Sequence, residues 1–267
     1  SQPPFYTALL ADFYRQYEAR LSTQWLVEHL AIAIDEYETV WMNPQTHLFA
    51  DLGLNRYFDE GQGRPKETEP GHFKMEIQKY AGRLGISVEE YERGYDAGEI
   101  SEPELDRYFV HDRAMRESGH DTSERLDSVC ADLACVDLNA ILYDVERKIS
   151  ALIDDYFPHG FRHNGREYSG SEWYEKAQAR YDLVQQYLWN EEAGCFYDYN
   201  VRRGRPQAFA SATNLYPLWA GLCEPEQAEK LVREQLPKLM CAGGIASTAP
   251  LPAHGNAPER QWDYPYG

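Results

Sequence analysis

No apolar run in this sequence approaches the ~20 residues of a membrane span. Positive charge is also scarce, with 26 Lys and Arg against 44 Asp and Glu and a net charge of −18. The first absence argues against a transmembrane helix. The second removes the basic surface that displaces phosphate counterions, so nucleic acid is not an expected partner. An anionic membrane surface is disfavoured for the same reason. Paired Cys-x-x-Cys motifs are missing, and Cys130, Cys135, Cys195, Cys223 and Cys241 stand at irregular spacing. That pattern suits neither a zinc site nor a disulfide framework, and it predicts reduced thiols and a cytoplasmic location. The opening SQPPFYTALL has no basic leader, so no signal peptide is expected.

What is present is apolar and aromatic. A hydrophobic share of 43% over 267 residues supports a substantial core in one large domain or two small ones. Twenty tyrosines and six tryptophans accompany the many acids. Sugar-binding clefts use that mixture, because pyranose faces stack on rings while carboxylates take hydroxyls. Ordinary core packing accounts for most of the rings.

Helical periodicity covers most of the chain. Residues 5–20 place Phe5, Leu9, Leu10, Phe13 and Tyr17 at helical spacing. Residues 23–41 do the same with Trp25, Leu26, His29, Leu30, Ile34 and Trp41, before Asn43-Pro44 stops the helix. The stretch 52–71, rich in glycine, proline and charge, predicts a long loop of the kind that serves a site. Short helices are expected near 71–84 and 87–97, the second opened by a capping box at Ser87. The longest helix is expected from Ser123 to Tyr156, with Leu126, Cys130, Leu133, Ile141, Val145, Ile149 and Leu152 as its core stripe. A helix near 171–188 follows, and one hairpin turns at Ala193-Gly194 into Cys195, Tyr197 and Tyr199. Helices near 207–222 and 225–239 complete the pattern, with Pro225 in the first turn of the second. The predicted class is all-α with a small β-hairpin. Long loops between paired helices point to an α/α toroid, where loops at one end build the site. A plain bundle or solenoid has less use for a stretch such as 52–71.

The segment RAMRESGHDTSERL, residues 113–126, sets Arg116, Gly119, His120 and Asp121 just before the longest expected helix. Asp121 then has two readings. One is a helix N-cap. The other is the carboxylic acid that a glycosidase needs to protonate a leaving oxygen, kept protonated near neutral pH by partial burial or a neighbouring anion. Gly119 would let a sugar approach closely, and Arg116 presents a rigid fork of donors. Asp137 and Asn139 in VDLN fall mid-helix and read as buried hydrogen-bond partners. No second ligand stands at metal spacing from His120, and Asp198-Tyr199-Asn200 lacks the mid-loop glycine of a calcium hand.

Seven stretches, SQPP, RYFDEGQGRPKETE, HDRAMRESGHDTSERL, CADLACVDLNAILY, WNEEAGCFYDYN, GGIAST and the closing QWDYPYG, run in this order along the whole chain. Together they resemble the trehalase glycoside hydrolase family in its fungal neutral form. The resemblance implies an (α/α)6 toroid that hydrolyses α,α-trehalose to two glucose molecules with inversion. It makes Asp121 the general acid and places Gln2, Glu67, Arg116, Gly119, Trp262 and Asp263 around the sugar. Glu67 and Asp121 should then face one cavity. His120 stands where many members carry tryptophan and the fungal neutral forms share histidine, so it marks a subfamily. Two alternatives stay open: a non-catalytic sugar-binding helical module, and a toroid glycosidase acting on another α-glucoside.

In the family, the water-activating glutamate lies downstream of QWD, and the signature PGGRF lies upstream of SQPP. The expectation is that residues 1–267 form part of a single catalytic domain, inactive without the base. The family further implies no cofactor in this chain, calcium as a regulatory ion bound upstream, and a phospho-dependent adaptor of the 14-3-3 type acting through other segments. It also implies a cytoplasmic location.

Overall fold

The computed structural model describes residues 2–66, 68–251 and 260–267. Helix takes about 52% of the chain. Among the described residues the α-helices are α1 (Tyr6–Tyr17), α2 (Thr23–Glu36), α3 (Lys74–Leu84), α4 (Val88–Asp96), α5 (Pro103–Glu117), α6 (Val136–Tyr156), α7 (Gly170–Tyr187), α8 (Tyr216–Trp219), α9 (Pro225–Lys230) and α10 (Leu236–Leu239). The expected all-α class is borne out. Ser22 caps α2 by accepting the Trp25 amide at 3.1 Å, and α2 runs on as a π-turn to Trp41. The capping box at Ser87 forms as expected, with Glu90 reaching back to the Ser87 amide.

Helix α6 is the central strut. It packs along α7 and also against α1 and α8. Leu138, Ile141, Val145, Ile149 and Leu152 of α6 join Leu10, Leu26, Leu30, Ile34 and Trp41 in the largest core cluster. A second cluster joins α6, α7 and the segment after 189. A third is smaller and separate, formed by Phe73, Ile77, Tyr80, Tyr91, Leu105 and Phe109 between α3, α4 and α5. On α1 the buried face is Thr7, Leu10, Ala11 and Tyr14, while Phe5, Leu9, Phe13 and Tyr17 are exposed along the opposite face.

The strands are two or three residues long, all antiparallel. They are β1 (Leu48–Phe49), β2 (Leu54–Asn55), β3 (Leu133–Ala134), β4 (Phe161–His163), β5 (Arg166–Tyr168), β6 (Trp189–Asn190), β7 (Cys195–Phe196), β8 (Asp198–Asn200), β9 (Arg205–Gln207), β10 (Met240–Cys241) and β11 (Gly244–Ile245). The expected hairpin at Ala193-Gly194 is β6–β7, with Gly194 at φ +58°. It is joined by β1–β2, β4–β5, β10–β11 and the three-stranded order β3-β8-β9, which the sequence did not announce. Strands this short have no room for an alternating pattern.

Three expectations are corrected. The helix expected from Ser123 begins at Val136, because residues 123–135 form turns, a 3-10 turn and β3. Ser128 adopts φ +57°, which no α-helix accommodates, and Arg125 turns inward rather than along a helix surface. Asp137 and Asn139 therefore lie in the first turns of α6 rather than mid-helix. The helix expected over 207–222 is shorter: residues 207–211 lie outside it, and a 3-10 turn at Ala212–Leu215 runs directly into α8. Helix α5 was not expected, because its buried face holds His111, Asp112, Arg113 and Glu117 where an apolar stripe would normally stand.

Candidate active site

The site is built where α5 stops. Ser118 ends that helix, its hydroxyl donating to the Met115 carbonyl at 2.6 Å and accepting the His120 amide at 3.1 Å. Gly119 follows at φ +75°, the left-handed conformation that closes a helix C-terminus and favours glycine. A Cβ there would stand 3.5 Å from Oε1 of Gln2, so the Gln2 side chain lies against the corner. The ESGHD corner is thus the exit of α5, not the entrance of the next helix. Asp121 caps no helix, and the next one starts 15 residues on, at Val136.

Arg116 is held on three sides. Its Nε donates to Asp112 at 2.8 Å, one Nη donates to Nε2 of His72 at 3.1 Å, and the other Nη stands 3.6 Å from the Asp121 carboxylate. Asp112 is buried, which pushes its carboxyl up from the ordinary value against the pull of Arg116. The Asp121 side chain remains 39% exposed.

Two cavities flank this corner and share Gln2. The first, about 460 Å³, is cationic, lined by Arg64, Arg113 and Arg116 together with Asp59 and Glu117. The second, about 310 Å³, is aromatic, lined by Tyr57, Tyr216 and Trp262 together with Gly119, His120 and Asp137. The acids on their walls are engaged. Glu117 accepts from His47 at 3.0 Å and from the Phe58 amide at 2.7 Å. Asp59 pairs with Arg113 at 3.1 Å. Asp137 shares the buried Arg125 guanidinium with Asp198, at 2.8 and 2.7 Å. Burial alone would raise the Asp137 carboxyl, but Arg125 and then His120 outweigh it and hold it below the ordinary carboxylate value.

The closing QWD segment is fastened onto the corner. The Trp262 amide donates to the Thr122 carbonyl at 2.9 Å, and its ring meets His120 edge-on at 4.8 Å. The buried Asp263 carboxylate accepts the Ser123 hydroxyl and the Glu124 amide, each at 2.8 Å.

Of the residues expected at the sugar site, Gln2, Arg116, Gly119 and Trp262 line one or both cavities. Asp121 lines neither cavity; it follows His120 in the chain and stands 3.6 Å from Arg116. Asp263 anchors the wall from behind. Glu67, and with it the expectation that Glu67 and Asp121 face one cavity, lies outside the described residues. Arg64, Arg113, Tyr57 and Tyr216 were not anticipated. The spacing of Arg113, Arg116 and Glu117 carries a signal, since i, i+3 and i+4 share one helix face.

One group among the described residues has metal-ligand spacing, formed by Cys135, Asp137 and Asp198. Arg125 already bonds both carboxylates, and a buried thiol is a poor partner for a hard cation, so this group does not fit calcium.

The family model for trehalase matches residues 1–267. This chain belongs to the trehalase family. A cytosolic neutral trehalase from Beauveria bassiana is 41% identical over 284 residues, covering 100% of this chain and 38% of that protein. The solved neutral trehalase Nth1 from Saccharomyces cerevisiae superposes with a TM-score of 0.90 at 38% identity, covering 99% of this chain and 49% of that one. A GH63 mannosylglycerate hydrolase from Thermus thermophilus, solved with glucose, shares the fold alone, at a TM-score of 0.54 and 19% identity over 98% of this chain and 58% of that one. The expected α/α toroid architecture is thereby borne out. The chain spans little more than a third of the length of the curated trehalases it matches.

Proposed function

We propose that this chain supplies the acid side of a trehalase active site, in a protein that hydrolyses α,α-trehalose to two glucose molecules with inversion. The observation that carries the reading is the place of Asp121. It is a partly exposed carboxylate, free of any capping duty, 3.6 Å from the Arg116 that lines the first cavity and next in the chain to the His120 that lines the second. A disaccharide with two like rings suits a pair of cavities joined at Gln2.

In this reading Asp121 delivers its proton to the glycosidic oxygen as the bond to the anomeric carbon breaks. Arg64, Arg113 and Arg116 take hydroxyls in the cationic cavity, and Tyr57, Tyr216 and Trp262 pack on the second ring. Water attacks the opposite face, activated by a carboxylate about 6.5–9.5 Å from Asp121. The acids lining the two cavities are committed to Arg113, His47 and Arg125, so the proposal assigns that base to another segment, as the family resemblance does. Calcium and a phospho-dependent adaptor belong to the same proposal, as regulators acting through other segments. So does the cytosolic compartment that the names of several relatives carry.

The test follows the anomers. Inverting hydrolysis releases one β-glucose from the attacked ring and one α-glucose from the leaving ring. NMR of the first turnovers of the intact protein on trehalose should show the two in equal amounts. Two α anomers would contradict inversion, faster turnover of maltose would contradict the substrate, and sugar binding without turnover would contradict the enzyme.

A further inference from the structure

Asp121 and Trp262 are flanked by a side chain that the proposed chemistry leaves without a task. His120 lies between them, with its Nδ1 buried and without a hydrogen-bond partner. A buried polar atom left unsatisfied is costly and rare, so its presence at a cavity wall asks for an explanation. The nearest candidate is Oδ2 of Asp137, 3.6 Å from Nδ1. That gap is a few tenths of an ångström beyond a hydrogen bond.

Asp137 cannot move to close the gap. Arg125 holds Oδ1 at 2.8 Å, and Tyr57 approaches Oδ2 at 3.4 Å. His120 has more freedom. It follows Gly119, and its ring rests edge-on against Trp262, which is 39% exposed. The ring borders the aromatic cavity, and it also borders a neighbouring cavity of about 260 Å³ beside Ser123 and Thr213. Burial lowers the His120 pKa below the ordinary histidine value, with Asp137 opposing. The imidazole is therefore neutral near pH 7 and has one donor and one acceptor nitrogen. An ionised carboxylate facing Nδ1 selects the tautomer that carries its proton there. Nε2 is then an acceptor, and it makes no hydrogen bond among the described residues.

We infer that His120 is a sugar-contacting specificity residue: Asp137 accepts its Nδ1–H, and Nε2 accepts a hydroxyl of the glucose unit held in the aromatic cavity. Ligand entry presses the ring toward Asp137 and closes the 3.6 Å gap, so one movement satisfies both nitrogens. The inference rests on the trehalase reading of the site. It adds to that reading a hydroxyl-sensing contact one residue from the acid.

The experiment compares wild type, His120→Phe and His120→Gln in the intact protein on trehalose. Phenylalanine keeps the ring and removes both nitrogens. Glutamine returns a polar end group near the place of Nε2. A contact made equally in the ground and transition states alters KM and spares kcat. His120→Phe should raise KM roughly tenfold with kcat changed by less than about threefold, and His120→Gln should recover most of the loss. In wild type labelled with ¹⁵N, trehalose should shift the His120 Nε2 resonance as the acceptor is occupied. An unchanged KM in His120→Phe overturns the inference, and so does a loss confined to kcat. Absence of trehalose turnover in wild type would instead overturn the trehalase reading. The Nε2 resonance would still decide the contact, with no shift on adding glucose counting against it.

Discussion

Asp198 caps helix α6 from 62 residues away: its Oδ1 accepts the Val136 amide at 2.8 Å. The same carboxylate takes two bonds from Arg125, whose other partner is Asp137 in the first turn of α6. One guanidinium thus ties the loop after Asp121, the start of the central helix and strand β8 into a single buried knot.

That knot predicts a large stability effect. Removing one partner of a buried ion cluster strands the others without compensation, at a cost of about 3–5 kcal/mol. Arg125→Met leaves two buried carboxylates facing each other and should lower unfolding stability by about that amount in urea titrations. A loss below about 1 kcal/mol would show that the two carboxylates are neutralised some other way. Adding Asp198→Asn to Arg125→Met should restore part of the loss, since it removes one of the stranded charges.

The knot also explains what was and was not legible in the sequence. Helices α2, α4 and α7 announce themselves, because their serine caps and apolar faces are local, and α1 does so by its periodicity alone. The start of α6 is set by a carboxylate that arrives from β8, and no window of sequence contains both. Helix α5 hides for a related reason, since it spends its buried face on Arg113, Asp112 and Glu117 around the cavities. Polar burial is what a site requires, and it erases the apolar stripe that pattern reading depends on. The motifs around Asp121 were legible because several rare residues cluster there. Arg64 and Tyr57 were not, because a charged or aromatic residue in a long loop has no periodicity to mark it.

Gly119 yields a second prediction. Its φ of +75° is the left-handed conformation, and an added Cβ would meet nothing closer than Gln2 Oε1 at 3.5 Å. The cost of alanine there is therefore conformational rather than steric. Gly119→Ala should lose about 1–2 kcal/mol in thermal or urea unfolding. Gly119→Asn should lose less, because asparagine visits this region more readily. Equal losses in the two variants would point to an unrecognised clash.

His111 links the fold to pH. Its Nδ1 accepts the Ala131 amide at 3.2 Å, so the buried ring must stay neutral to keep that bond. Burial, with Arg107 adding and Asp132 opposing, pushes its pKa down from 6.5 to about 4. The folded state therefore refuses a proton that the unfolded chain accepts below about 6.5. Stability is full above that pH and falls as pH drops toward 4, by about 1.4 kcal/mol per unit through the middle of the window. Urea midpoints at pH 7 and pH 5 should show the fall in wild type and a shallower one in His111→Gln. Parallel slopes in the two proteins would remove His111 as the cause.

Asp121 and Asp263 make the most direct contrast, since both were expected at the sugar site and the structure gives them different surroundings. Asp263 is buried and spent on Ser123 and Glu124, so Asp263→Ala should chiefly cost stability, about 1–3 kcal/mol for the stranded donors. Asp121 is partly exposed and, among the described residues, caps no helix and pairs only with Arg116, at 3.6 Å, so Asp121→Asn should leave the unfolding curve nearly unchanged. Its effect should appear in turnover. A sugar hydroxyl is a poor leaving group, and general acid catalysis is worth about 10²–10⁴-fold, so the intact enzyme carrying Asp121→Asn should lose at least about a hundredfold on trehalose. Activated substrates such as α-glucosyl fluoride leave without a proton, and on these the same variant should keep most of its rate. A variant that stays fast on trehalose would end the assignment of Asp121 as the acid. One equally crippled on both substrates would place its role in positioning the sugar instead.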